Sequence, residues 1–236
     1  MSFNKHWPNI RDNINPNRFY KKIGLVFYNT LFYNKPFNLN GLTMQDFGDM
    51  CNMQCVKDTN SIDLLLNKFI SNGFGEIYKG PLYRGLSKDD REKTVKSNIL
   101  KLRYASSFSE DKDLAENFGD YIITIKSCSK PIFDLSYFCK VIEQLVADFN
   151  LDKLIDKYRD QYLIFFENNG WFNAIFELYQ YAKKQNSKDP LLTYKYNQDV
   201  NKFRINEAIS YDEYEWLIPK DTQLHIVDIT NYIFKI

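Results

Sequence analysis

Cysteine and histidine are scarce: four cysteines and two histidines occur in 236 residues. Cys51 and Cys55 stand one helical turn apart with no second pair nearby, and Cys128, Cys139, His6 and His225 are scattered. A zinc ribbon needs two close ligand pairs and a disulfide-stapled domain needs denser cysteine, so neither class fits and no metal centre is expected. Reduced, half-buried thiols are expected instead. Net charge is lacking too, since 31 basic and 30 acidic side chains leave only +1. That balance excludes a global field for nucleic acid or anionic membrane and confines any such contact to a local patch. No apolar run approaches the roughly 18 residues of a membrane span, and Met1-Ser2-Phe3-Asn4-Lys5-His6-Trp7-Pro8 has no apolar signal core. The expectation is a soluble, cytoplasmic, monomeric protein without a membrane partner.

What is present is apolar and aromatic mass: 44% hydrophobic residues, with 17 Tyr and 19 Phe. That is enough to bury a sizeable core as one large domain, or one domain with an appended lobe. Residues 1–75 read as mainly helical. Met44, Phe47, Cys51 and Cys55 are spaced by three or four, and Ser61 is placed to cap the stretch Ile62 to Ile70 before Gly73 and Gly75 stop it. Short strands are predicted at Pro81 to Leu86, Leu102 to Phe108, Tyr121 to Ile125 and Pro131 to Asp134. A short helix, opened by Ser109 and ended by Gly119, separates the second strand from the third. From Ser136 to about Gln185 the period is helical again, broken at Asn168-Asn169-Gly170. Tyr211 to Pro219 and Gln223 to Ile229 read as a terminal hairpin.

Within that outline Glu213 and Glu215 sit two apart on a strand, so both carboxylates share one face. Like charges side by side repel and do not pair with each other, which points to chemistry rather than stability. Two further pieces precede them: Arg84-Gly85 on a strand, and Ser106-Ser107-Phe108-Ser109 at a strand end leading into a helix. Alone, each has an ordinary reading. The arginine reads equally as an ion-pair partner, the serines as caps, and the carboxylates as a solvated face. Their conjunction, in order and with matching flanks, carries more than any one of them.

In that order the three pieces resemble the Arg-Ser-Glu class of mono-ADP-ribosyltransferases. The small phage-encoded enzymes of that class are the most similar, through Tyr83-Arg84-Gly85 and Glu213-Tyr214-Glu215-Trp216-Leu217-Ile218-Pro219. The likeness covers residues 81–127 and 203–229, about a third of the chain. It implies an α+β ADP-ribosyltransferase-like fold: two small facing β-sheets around an NAD cleft, with N-terminal helices and an inserted helical lobe. The catalytic core would lie in residues 76–135 and 200–236, the insertion in 136–199, all in one domain.

The resemblance also implies roles. Glu215 would stabilise the developing oxocarbenium charge as the nicotinamide–ribose bond breaks, gripping a ribose hydroxyl. Glu213 would orient and deprotonate an acceptor guanidinium. Arg84 would bind a phosphate or ribose of NAD, and Gly85 would let its backbone approach the nicotinamide amide. Ser107 would tie the glutamate strand to the nicotinamide-side ribose, and Ser109 would support it while capping the next helix. Where the family has Ser-Thr-Ser this chain has Ser107-Phe108-Ser109, and the adjacent Ser106 leaves the register open by one. Tyr211, in the loop Phe203 to Asp212, would meet the acceptor. The implied reaction moves ADP-ribose from NAD, as substrate and without metal, to an acceptor. Protein arginine is the first candidate, with the transcription or translation machinery of a host cell as its source, and RNA is a second. An NAD glycohydrolase on the same scaffold and a binding module with a decayed cleft are the alternatives.

Overall fold

A computed structural model describes residues 17–52, 58–96, 98–185 and 215–231. The chain divides into two compact units, residues 1–52 with 138–209, and residues 53–137 with 210–236. The expected N-terminal part, 1–75, is therefore split between them, and most of the expected insertion groups with the first 52 residues.

The first unit is helical. In α1 (Asn17–Tyr33) the buried side chains Tyr20, Ile23, Phe27 and Leu31 recur every three or four residues, the stripe that an amphipathic helix turns inward. A two-stranded ribbon, β1 (Asn38–Leu39) and β2 (Leu42–Thr43), leads into α2 (Met44–Cys51). Thr43 opens α2 through a capping box: its hydroxyl accepts from Asp46 N while Asp46 accepts from Thr43 N. After the sheet strands come α6 (Leu135–Asp148), α7 (Leu151–Lys157) and α8 (Arg159–Gln185). Gly170, at φ 73°, breaks α8 as the sequence predicts, because that backbone region is cheap only for glycine. The core here is aromatic. Phe27 meets Phe176 with ring centroids 5.0 Å apart, and Phe47 meets Phe37 at 5.1 Å and Phe138 at 5.5 Å.

The second unit is built on α3 (Thr59–Phe69) and an antiparallel sheet. Asp58, not Ser61, caps α3: its carboxylate accepts from Asn60 N and Ser61 N, and an Asp one residue before the helix satisfies two orphan donors at once. The strands are β3 (Gly75–Glu76), β4 (Leu82–Leu86), β5 (Val95–Lys96), β6 (Ile99–Lys101), β7 (Ser106–Ser109), β8 (Tyr121–Ile125), β9 (Ile132–Asp134), β10 (Glu215–Ile218) and β11 (Gln223–Asn231). They form one ladder in the order β3-β9-β10-β7-β4-β8-β11-β6-β5, with α4 (Lys88–Thr94) and α5 (Lys112–Ala115) in the connections. Among the described residues every ladder is antiparallel and no parallel crossover occurs, so the architecture is α+β.

Three expectations change here. The two sheets are one nine-stranded ladder whose halves join at a single register pair, Tyr83↔Ser109. The strand expected at Leu102 to Phe108 forms only from Ser106, as part of β7, and β6 ends before it at Lys101 on the other side of that join, because Leu102 is tied to the turn through Thr222 O and Asp221 N, while Ala105 N donates to Asp63 of α3 at 2.6 Å. The expected terminal hairpin does not pair with itself. β10 lies between β9 and β7, whereas β11 lies between β8 and β6. The turn at Lys220-Asp221, fastened by Thr222 Oγ1 donating to Pro219 O at 2.7 Å, carries the chain from one half of the ladder to the other.

Candidate functional site

The join between the halves is where polar side chains gather. β4 pairs with β8 along its whole length but with β7 only at Tyr83, so the two strands part after one pair. A cleft of about 570 Å³ opens there, lined among others by Arg84, Gly85, Asp90, Ser107, Ser109 and Glu215. Strand alternation sorts the walls: Trp216 and Ile218 belong to the sheet's apolar core, Ser107 and Glu215 line the cleft, and Phe108 belongs to the core while also lining the cleft.

Glu215 is fixed at three points. Its backbone is in register with Ser109 of β7, its carboxylate Oε1 accepts the Ser107 hydroxyl, and its N–H donates to Ser136 Oγ at 2.7 Å. Ser136 lies at the start of α6, just beyond β9, whose register with β10 covers Trp216↔Asp134 and Leu217↔Phe133. The Ser136 hydroxyl thus takes the place of the next ladder acceptor and carries the fastening one residue further, to Glu215. The neighbour Trp216 is fixed from the other side, its indole Nε1 donating to Glu110 Oε1 at 2.6 Å.

Arg84 bridges the parting strands. Its Nη1 donates to Ser107 O at 2.6 Å and its guanidinium lies 5.6 Å from the Phe108 ring centroid. Burial pulls its pKa below the ordinary arginine value, and Tyr104, Asp90 and Glu215 oppose that pull. A desolvated guanidinium that spends one of five donors on a neutral carbonyl is suited to receiving an anion.

The register of the serines is now defined. Ser107 faces the cleft and Glu215, whereas Ser106 is buried with its hydroxyl donating to Tyr104 O at 3.0 Å. Ser109 is buried at the cleft wall, but the cap of α5 is Asp111, whose carboxylate accepts from Asp113 N and Leu114 N; Ser109 Oγ accepts from Asp111 N instead. Gly85 lines the cleft for a reason the sequence did not suggest. A Cβ there would stand 2.5 Å from Ala115 O, 2.7 Å from Phe118 C and 2.8 Å from Gly119 N, all backbone atoms. Its smallness therefore lets β4 lie against the turn at Glu116–Phe118.

Arg84, Gly85, Ser107, Ser109 and Glu215 are thus brought to one cleft. Glu213 and Tyr211 lie outside the described residues, as do Cys55, His6 and the loop 203–212. Sequence reasoning missed Ser136, Glu110 and Asp90. Ser136 carried no usable signal, because a serine at a helix start reads as a cap and its partner is 79 residues away. Among the described residues no group of three His, Cys, Asp or Glu side chains could hold a metal ion, and no helix is long and apolar enough to cross a membrane. Comparisons with protein-family models, with curated proteins and with solved structures found no match.

Proposed function

We propose that the cleft between β4 and β7 binds NAD and that the protein is a mono-ADP-ribosyltransferase, moving ADP-ribose to an acceptor, protein arginine first among the candidates, with release of nicotinamide. In this reading the sheet is an ADP-ribosyltransferase-like core opened at its weakest join. The observation that carries it is the Ser107–Glu215 hydrogen bond at the mouth of a cleft whose opposite wall presents Arg84. Bond cleavage at the nicotinamide ribose develops positive charge on the sugar, and a fixed carboxylate beside it lowers that barrier most effectively when it need not reorganise. Glu215 meets that requirement through its three fastenings. Arg84, desolvated and with donors to spare, is suited to the pyrophosphate. A volume of about 570 Å³ is of the size that cofactor-like ligands occupy.

In the proposed reaction the carbon–nitrogen bond breaks, its electron pair leaves with nicotinamide, and the acceptor nitrogen forms the new bond to the ribose carbon. Glu213, two residues before Glu215, takes the proton that the guanidinium must lose. The test compares wild type with Glu215→Gln and Glu213→Gln, using labelled NAD and an arginine-rich acceptor. Wild type transfers label; Glu215→Gln neither transfers nor cleaves NAD; Glu213→Gln keeps cleavage and loses transfer. Free ADP-ribose without labelled acceptor from wild type would make the chain a glycohydrolase, and a wild type inert toward NAD would remove the reading altogether.

A further inference from the structure

A second cavity of about 570 Å³ lies in the same unit, on the flank of the sheet beside β6 and the β10–β11 turn. Its chemistry differs from that of the first. Lys93, Lys101 and Arg103 line it, with Asp221 the only acidic one among the described lining residues. In a chain whose charges otherwise nearly cancel, three cations against one carboxylate around one hollow is a local concentration.

Little in the fold consumes that charge. Lys93 is 4.0 Å from Asp89, an exposed helix-surface contact of small worth. Arg103 gives one weak bond, Nη2 to Lys93 O at 3.4 Å. The lining side chains Lys101, Arg103 and Gln223 are exposed, so no burial penalty restrains their donors. The backbone beneath them is firm: Leu102 N donates to Thr222 O and Asp221 N to Leu102 O, while Lys101 is in register with Gln223. Flexible cations on a rigid floor suit a ligand that carries several negative charges in a row.

Position adds to this. Asp90 of α4 lines the cleft and Lys93, one turn further along the same helix, lines the second cavity. Likewise Arg103 precedes Ser107 by four residues, a span of about 13 Å if fully extended. The two hollows have no described lining residue in common, but α4 contributes to both.

We infer that this hollow is an anion site for a phosphate-bearing ligand, gripped by Lys93, Lys101 and Arg103 and long enough in its polymeric form to lead toward the cleft. The site stands whether or not the cleft takes NAD. Its phosphates have two sources, a free di- or triphosphate or the backbone of a single-stranded nucleic acid.

The test measures fluorescence anisotropy of a labelled single-stranded oligonucleotide against the intact protein, with inorganic pyrophosphate and polyglutamate as competitors. Wild type binds, and Lys101→Gln with Arg103→Gln weakens binding about tenfold and flattens the salt dependence by about 1.4 in log–log slope, the value for two lost phosphate contacts on a single strand. Asp221→Asn, which removes the opposing charge, strengthens it. Displacement by pyrophosphate assigns the site to small phosphates, and persistence against pyrophosphate assigns it to the polymer. No binding, binding unaffected by the double substitution, or equal displacement by polyglutamate overturns the inference. Thermal melting of the variants, expected to match wild type because both side chains are exposed, separates lost binding from lost fold.

Discussion

Glu215 is held by two hydroxyls from elements far apart in sequence, Ser107 on its carboxylate and Ser136 on its amide. Ser107→Ala removes an acid-orienting donor and leaves the backbone alone. Under the proposed function it should lower turnover on NAD about tenfold or more while the melting temperature barely moves, as steady-state kinetics beside calorimetry would read. Ser136→Ala acts differently, because it strands a half-buried N–H at the last rung of the β9–β10 edge. It should cost about 1 kcal/mol of stability and accelerate hydrogen exchange at the Glu215 amide; an unchanged exchange rate would remove Ser136 from the site. The two serines also mark what could be read in the chain. Ser107 and Glu215 were legible because strand alternation fixes which side chains share a face, and the resemblance supplied the pairing. Ser136 was not, because a hydroxyl filling in for a ladder acceptor depends on strand order, which local pattern does not encode.

Among the elements, β4 and the α5 turn meet through two glycines. A Cβ on Gly85 would strike Ala115 O at 2.5 Å, and one on Gly119 would strike Leu86 C and O at 2.5 Å. These neighbours are backbone and have no rotamer to yield. Gly85→Ala and Gly119→Ala should each destabilise by about 1–3 kcal/mol, and either should impair the cleft by pushing β4 from the turn; denaturant melts that show no loss would mean the strand shifts freely. Element existence was largely readable from periodicity: the helical stretches, the strand at Tyr121–Ile125 and the break at Gly170 all followed from it. Pairing was not. A polar turn between two apolar runs looks like a hairpin, yet the Lys220-Asp221 turn joins strands that take different partners. The misreading matters to function, since that crossing puts Glu215 and the second cavity on opposite halves of one ladder.

At the scale of the whole chain, ionisable groups that folding hides set the alkaline limit. Burial raises the pKa of the Cys51 thiol, and Cys139 and Glu143 beside it push the same way. Burial likewise raises the Cys128 thiol and the Tyr179 hydroxyl. Cys51 and Tyr179 belong to the helical unit and Cys128 to the sheet unit. In each case the folded chain holds its proton more tightly than the unfolded chain does. Below the ordinary thiol value of 9.0 both states are protonated and the full stabilisation is present. Above it the unfolded chain loses protons first, so stability falls as pH rises through the folded-state values. Melting followed by circular dichroism between about pH 7 and about pH 10 should therefore show a flat region and then a decline on the alkaline side. Cys51→Ala should flatten the part of that decline belonging to the helical unit, and Cys128→Ala the part belonging to the sheet. A melting temperature that stays level to the alkaline end in wild type would mean these thiols titrate in the folded chain as they do in water, and that neither unit closes over its cysteine.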